Sequence, residues 1–205
     1  MTPLDVDTPH GLARAHVHRA GEPLAALVLG HGAGGGFGAR DLLVVTDLAR
    51  ELGVSVVHVE QPYLVAGRRS PAPAHQLDTA WITVVEHLRA GPLEGLPLVA
   101  GGRSSGARVA CRTAAQTGAT AVLCLAFPLH APGRPEKTRA GELDAVAVPV
   151  LVVQGESDPF GMPAAAPGRE LVIVKGNHSL KSDLEGVAAA VGDWLRRVAA
   201  QGGDA

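Results

Sequence analysis

The stretch LVAGGRSSGARVA (residues 98–110) begins as an apolar strand and ends as a helix, with three glycines and two adjacent serines in the bend. Residues 102–106, Gly-Arg-Ser-Ser-Gly, fit G-x-S-x-G with Ser104 at the centre. A strand that must reverse into a helix within so few residues forces its central residue into a strained backbone geometry. Small flanking residues let strand and helix pack closely there. Ser104 Oγ is then held out above a sheet as a candidate nucleophile, and the N–H of Ser105 is free to face a developing oxyanion. Ser105 cannot take the central slot, because Arg103 stands two positions before it. Alone, the pentapeptide also describes an ordinary glycine turn in a chain with 26 glycines among 205 residues. The strand before it and the helix after it are what raise it above that.

Similar short apolar runs recur along the chain, at residues 24–29, 54–59, 96–100, 121–126, 148–153 and 171–174. They are continuous rather than alternating, as strands buried on both faces of a parallel sheet are. Helical patterns lie between them. In residues 75–90, Leu77, Trp81, Val84 and Leu88 share a stripe, and near the end Val187, Val191, Trp194 and Val198 do the same. Both tryptophans read as core anchors. Residues 41–52 and 107–116 are further helices. Strands alternating with helices predict a doubly wound α/β architecture with a mainly parallel sheet. Residues 11–20 alternate loosely and are expected to form an antiparallel edge strand.

The length fits one domain over residues 1–205. With 46% hydrophobic and 19% charged residues the composition is globular, and a net charge of −2 offers no broad attraction for nucleic acid or an anionic membrane. No apolar run approaches the roughly 20 residues needed to cross a bilayer. The start, MTPLDVDTPH, lacks the basic and apolar regions of a secretory signal. A cytoplasmic protein is expected, with Cys111 and Cys124 as small buried thiols in a reducing compartment.

In doubly wound sheets ligands bind beyond the carboxyl ends of the strands. A serine nucleophile needs a base and an orienting acid. The run at 148–153 leads into Gln154-Gly155-Glu156-Ser157-Asp158, and the run at 171–174 into Lys175-Gly176-Asn177-His178. Asp158 as acid and His178 as base therefore follow successive strands, in the order Ser, Asp, His. Glu156 is the fallback acid. A lone Asp after a strand is usually a turn or cap residue and a lone His usually structural; the joint placement favours a triad.

Residues 30–36, GHGAGGG, follow the first of these runs. As an oxyanion loop they would offer the N–H of Ala33 or Gly34. The rival is a dinucleotide fingerprint, with Gly30, Gly32 and Gly35 as G-x-G-x-x-G and Glu60 as the ribose-binding acid. Against it, Gly36 and Gly38 delay the helix, and it leaves Ser104, Asp158 and His178 without a role. The third reading is a flexible loop with no task.

These stretches together, LGHGAGG, GGRSSGARVA, FPLHAPGRPEKTR, VLVVQGESDPFG and KGNHSL, resemble the α/β-hydrolase superfamily. The chain is similar there to small cap-less, dienelactone-hydrolase-like proteins, including bacterial relatives of the KANSL/TEX-type hydrolase-like domain. The resemblance runs from about Leu24 to Leu195. It implies Ser104 as nucleophile, Asp158 as acid, His178 as base, and an oxyanion hole from the N–H groups of Ser105 and of Ala33 or Gly34. Ser105 and Ala107 depart from the pattern, in which a larger residue and a glycine are common.

His31 is expected to brace the oxyanion loop, and with Arg103, Tyr63 and His130 to border the substrate. His130, Arg134, Lys137 and Arg139 would either bind an acidic substrate group or form a solvated basic loop. His16 and His18 share a strand face, and nothing converges on them for a metal. The expected protein is a serine hydrolase, carboxylesterase-like, cleaving small carboxylic esters or thioesters through an acyl-enzyme. It needs no cofactor and no metal, and its partner is a small acyl substrate. Too few residues separate His130 from Val148 for a cap domain. The alternatives are a hydrolase-like binding or scaffold protein and a dinucleotide-binding protein.

Overall fold

A computed structural model describes residues 3–201. The five strands at its centre are β3 (Ala25–Gly30), β4 (Val54–Glu60), β5 (Leu98–Arg103), β6 (Ala121–Leu125) and β7 (Val150–Gly155). Nearly every residue of these strands is buried, because both faces of the sheet are covered. β1 (Leu4–Thr8) and β2 (Gly11–His18) extend the sheet at one side and β8 (Arg169–Val174) at the other. The order is β1-β2-β4-β3-β5-β6-β7-β8; β2 pairs antiparallel with both its neighbours, and the pairs from β4 to β8 are parallel.

The helices are α1 (Arg40–Glu51), α2 (Pro62–Val65), α3 (Ala74–Arg89), α4 (Ser105–Thr117), α5 (Ala140–Asp144) and α6 (Leu184–Gln201). Successive strand residues point to opposite faces, which gives two cores. Ala26 and Val28 of β3 face Trp81, Val84 and Leu88 of α3 and Ala107 and Ala110 of α4. Leu27 and Leu29 face Leu42 and Val45 of α1 and Val187, Val191 and Trp194 of α6. Both tryptophans are core anchors, exposed by no more than 1%.

The expected edge strand is corrected in one respect. Residues 11–18 form the antiparallel strand β2, but it lies second in the sheet and β1 takes the edge. β1 is LDVDT, with Val6 buried in the core and Leu4 packed partly buried against it, so its short polar alternation gives little apolar signal.

The winding reverses between β3 and β5. The chain leaves β3 for β4 on one side and leaves β5 for β6 on the other. Such a switch point opens a crevice at the carboxyl ends of the two strands, where the glycine loop and the serine turn lie. Between β6 and β7 the only helix is α5, five residues long. Cys111 and Cys124 are buried free thiols with their sulfurs 3.4 Å apart. No helix among the described residues is long and apolar enough to cross a membrane.

Candidate active site

Ser104 joins β5 to α4 with φ 52° and ψ −108°, outside the regions that L residues ordinarily occupy. The close packing that permits this is visible at the flanking glycines. A Cβ on Gly102 would lie 2.6 Å from the Gly30 carbonyl oxygen, and one on Gly106 would run into the same carbonyl. The first glycine of GHGAGGG and the two glycines of the serine turn therefore meet in one contact. The Ser104 N–H donates to Leu125 O (2.9 Å), which fixes the turn to the neighbouring strand.

Ser104 Oγ lies 2.9 Å from His178 Nε2, and His178 Nδ1 lies 2.8 Å from Asp158 Oδ2. An ionised carboxylate only accepts, so Nδ1–H donates to Asp158 and Nε2 is left to accept the serine proton. The Asp158 side chain is fully buried. Its Oδ2 also accepts from Gln154 Nε2 (2.8 Å), and its Oδ1 accepts from the Phe160 N–H (2.8 Å). The Phe160 ring sits against the imidazole, 4.2 Å between centroids. Glu156, the fallback acid, is exposed; its carboxylate accepts from the Gly176 N–H at 3.5 Å, and it is Asp158 that bonds the imidazole.

The glycine loop is braced from below. His31 is buried; its Nδ1–H donates to Gly32 O (2.7 Å) and its Nε2 accepts from the Gln61 N–H (3.2 Å), which selects the neutral Nδ1–H tautomer. Burial holds its pKa below the ordinary imidazole value. Tyr63 OH donates to Ala33 O (3.0 Å), and burial pushes that phenol up. Phe37 lies edge-on to His31 and stacks on His58 at 4.3 Å. The N–H groups of Ala33 and Gly34 enter none of the hydrogen bonds found among the described residues. A cavity of about 530 Å³ is bounded by residues of this loop with Arg103, Ser104, Phe160 and His178.

Of the four residues expected to border a substrate, Arg103 lines this cavity, but two of its nitrogens are engaged: Nε donates to Asp41 Oδ2 (2.9 Å) and Nη2 to His178 O (2.8 Å). His31 and Tyr63 lie beneath the loop. His130 lies outside the cavity lining, with Nδ1 bonded to Ala131 O and its ring against Gly161. Arg134 and Lys137 are exposed, while Arg139 donates to Pro128 O. Glu60, the acid of the dinucleotide reading, sits 3.4 Å from His16. In addition α1 begins only at Arg40, beyond the loop.

Three contributors escaped the sequence: Asp41, Gln154 and Phe160. Each acts through a tertiary contact that no local motif signals. A buried amide such as Gln154, at the end of an apolar strand, was the one available clue.

A family model described as an alpha/beta hydrolase domain matches residues 23–190. No curated protein matches the chain. Among solved structures it is similar to an α/β serine hydrolase without a lid from Xanthomonas campestris, at 21% identity and a TM-score of 0.77, over 96% of this chain and 94% of that one. It is also similar to Est1E from Butyrivibrio proteoclasticus, at 19% identity and a TM-score of 0.78, over 98% and 100% of the two chains. A dienelactone hydrolase from Anabaena variabilis aligns at 15% identity with a TM-score of 0.75, over 96% of each chain.

Proposed function

The chain belongs to the alpha/beta hydrolase domain family, and from that premise we propose that it is a serine hydrolase cleaving small carboxylic esters or thioesters. The observation that carries the proposal is the hydrogen-bonded series Ser104–His178–Asp158, at 2.9 and 2.8 Å. Its three members come from three different post-strand segments. His178 Nε2 takes the hydroxyl proton as Ser104 Oγ attacks the carbonyl carbon. The resulting oxyanion is stabilised by the N–H of Ser105 and that of Ala33 or Gly34. Losing one such donor typically costs about 10²–10³ in turnover. His178 then gives the proton to the leaving oxygen or sulfur, and an acyl-enzyme remains. Water repeats the sequence: His178 takes its proton, the hydroxide equivalent attacks the acyl carbon, and the proton returns to Ser104. Asp158 holds the imidazole in the required tautomer and stabilises its charged form.

The cavity wall is mostly glycine and alanine, with no cap domain between β6 and β7, which favours small or exposed acyl groups. Free thiols at Cys111 and Cys124 fit a reducing compartment, so the proposal places the enzyme in the cytoplasm.

A fluorophosphonate reagent and 4-nitrophenyl acetate or butyrate test this directly. The wild type should be labelled and should turn over the esters. Ser104→Ala should lose both properties, and Ser105→Ala, which keeps its backbone N–H, should stay within a few-fold of wild type. An unlabelled, inactive wild type, or comparable losses in the two variants, would refute the reading.

A further inference from the structure

Residues 175–183, which carry His178, are tied by hydrogen bonds mainly to the acid's loop and to the start of α6, and Leu180 is buried in the core. The Ser157 N–H and hydroxyl both donate to Gly176 O (2.9 Å each), and the Glu156 N–H donates to Val174 O (2.9 Å). The Gly176 N–H also reaches Glu156 Oε1 (3.5 Å), and Asp183 accepts from the Gly186 and Val187 N–H groups at the start of α6. Internal bonds run from Leu180 N–H to Asn177 O, from Ser179 to Asn177 Oδ1 and from Lys175 N–H to Asp183 Oδ2. Phe160, which packs on the imidazole, also belongs to the acid's loop. Toward the serine turn there are two hydrogen bonds among the described residues. One is the imidazole's own to Ser104, which must break and reform during reaction. The other runs from Arg103 Nη2 to the His178 carbonyl (2.8 Å).

Arg103 is itself held. Its Nε donates to Asp41 Oδ2 at 2.9 Å, and the Asp41 side chain is completely buried in the first turn of α1, just past the glycine loop. Asp41 Oδ1 accepts from the Leu42 N–H (3.0 Å). Burial raises the Asp41 pKa, and the Arg103 charge opposes that rise. One guanidinium thus joins the serine turn, the base-bearing segment and the helix that follows the glycine loop. The two bonds use different nitrogens of a rigid planar fork, which an ammonium on a flexible stem does not reproduce.

We propose that Arg103, seated on the buried carboxylate of Asp41, is a positioning residue that fixes the His178 segment against the Ser104 turn. It acts through the backbone of His178, and its charge is countered by Asp41 rather than offered to substrate. The role rests on the serine-hydrolase reading above; its geometric core, an imidazole held in register, has its own readout.

The test compares wild type with Arg103→Lys on two esters, neutral 4-nitrophenyl acetate and the carboxylate-bearing 4-nitrophenyl hemisuccinate. Misplacing a base by about 1 Å can cost on the order of 10²-fold. Arg103→Lys should therefore lower kcat about 10- to 100-fold on both esters alike, with KM changed by less than about threefold. The rate of fluorophosphonate labelling should fall in parallel. In the proton NMR spectrum, the deshielded Nδ1–H signal of His178 should broaden or vanish, a readout that needs no turnover. Wild-type kcat in Arg103→Lys would overturn the proposal, and so would a loss confined to KM for the anionic ester, which would make Arg103 a substrate-binding cation.

Removing Arg103 alone leaves a buried carboxylate unpaired and can prevent folding. The double variant Asp41→Leu/Arg103→Met removes both charges. Folded, as judged by circular dichroism and urea midpoint, it should show the same fall in kcat and the same NMR change; normal values for both would overturn the role. A wild type that resists fluorophosphonate labelling sinks the hydrolase reading, and the NMR comparison then decides the positioning claim by itself. A labelled wild type matched in rate by Arg103→Lys sinks the positioning claim alone.

Discussion

Ser104 holds a backbone conformation that costs on the order of 1–3 kcal/mol for a residue with a side chain, and such strain persists only where the surroundings over-determine it. Those surroundings are a three-glycine contact. Gly106 and Gly102 lie so close to the Gly30 carbonyl that neither has room for a Cβ. The atom met is backbone in a central strand, which cannot swing aside as a side chain would. Gly106→Ala is accordingly expected to destabilise the protein by about 3 kcal/mol, toward the upper end for overpacking. The control is Gly35→Ala, where an added Cβ meets nothing within 4 Å, with an expected change below about 1 kcal/mol. Urea midpoints of the two variants check the pair. Equal midpoints would mean that the glycine contact does not hold the serine turn. The same contact explains why Gly30, the first residue of the dinucleotide-like motif, is a glycine: it accommodates Gly106.

Among the elements, the five central strands were readable because burial on both faces leaves a continuous apolar run, while β1, α2 and α5 were not. α2 and α5 are four and five residues long, too short for a helical stripe to repeat. β1 has one fully buried residue in five. β5 continues through Gly101 and Gly102 to Arg103, although the glycines read as the beginning of a turn. That Ser104, Asp158 and His178 would lie together was legible because each follows a strand and strand ends converge. Their supports could not: Arg103 meets Asp41 across 62 residues and His178 across 75. Gln154 is the element-scale case. At the end of β7 its Nε2 donates to Phe127 O (3.1 Å) just past β6, and to Asp158 Oδ2 (2.8 Å) and Gly161 O (2.9 Å) in the loop that follows. Gln154→Leu keeps the apolar volume and strands those acceptors. The expected loss is about 1–3 kcal/mol of stability, with ester turnover falling more steeply than in a surface variant of equal stability. Turnover unchanged at full occupancy of the fold would show that Asp158 needs no support from β7.

At the scale of the whole molecule, His58 couples stability to pH, because its environment is assembled from three parts of the chain besides its own strand. His58 on β4 stands opposite His16 on β2, lies 4.8 Å from the His18 ring, stacks on Phe37 of the glycine loop, and shares a 2.7 Å hydrogen bond with Thr46 of α1. Burial first, and then the neighbouring His18 and His16, push its pKa down to about 3. In the unfolded chain the same imidazole titrates near 6.5. The unfolded state therefore binds the extra proton throughout the interval between these values. Stability contributed by neutral His58 is fully present above about pH 6.5 and is lost as pH falls toward 3. Between pH 7 and pH 5 one such group accounts for about 2 kcal/mol. His31, also depressed by burial, adds in the same direction. Asp41 works the other way: its raised pKa makes its contribution greatest at low pH, lost as pH rises past 3.8 toward the folded value. Urea unfolding at pH 7, 6 and 5 should thus show stability declining with acid. His58→Gln, which retains a polar partner for Thr46, should flatten that decline by up to about 1.4 kcal/mol per pH unit below pH 6. An unchanged slope would place the proton uptake elsewhere.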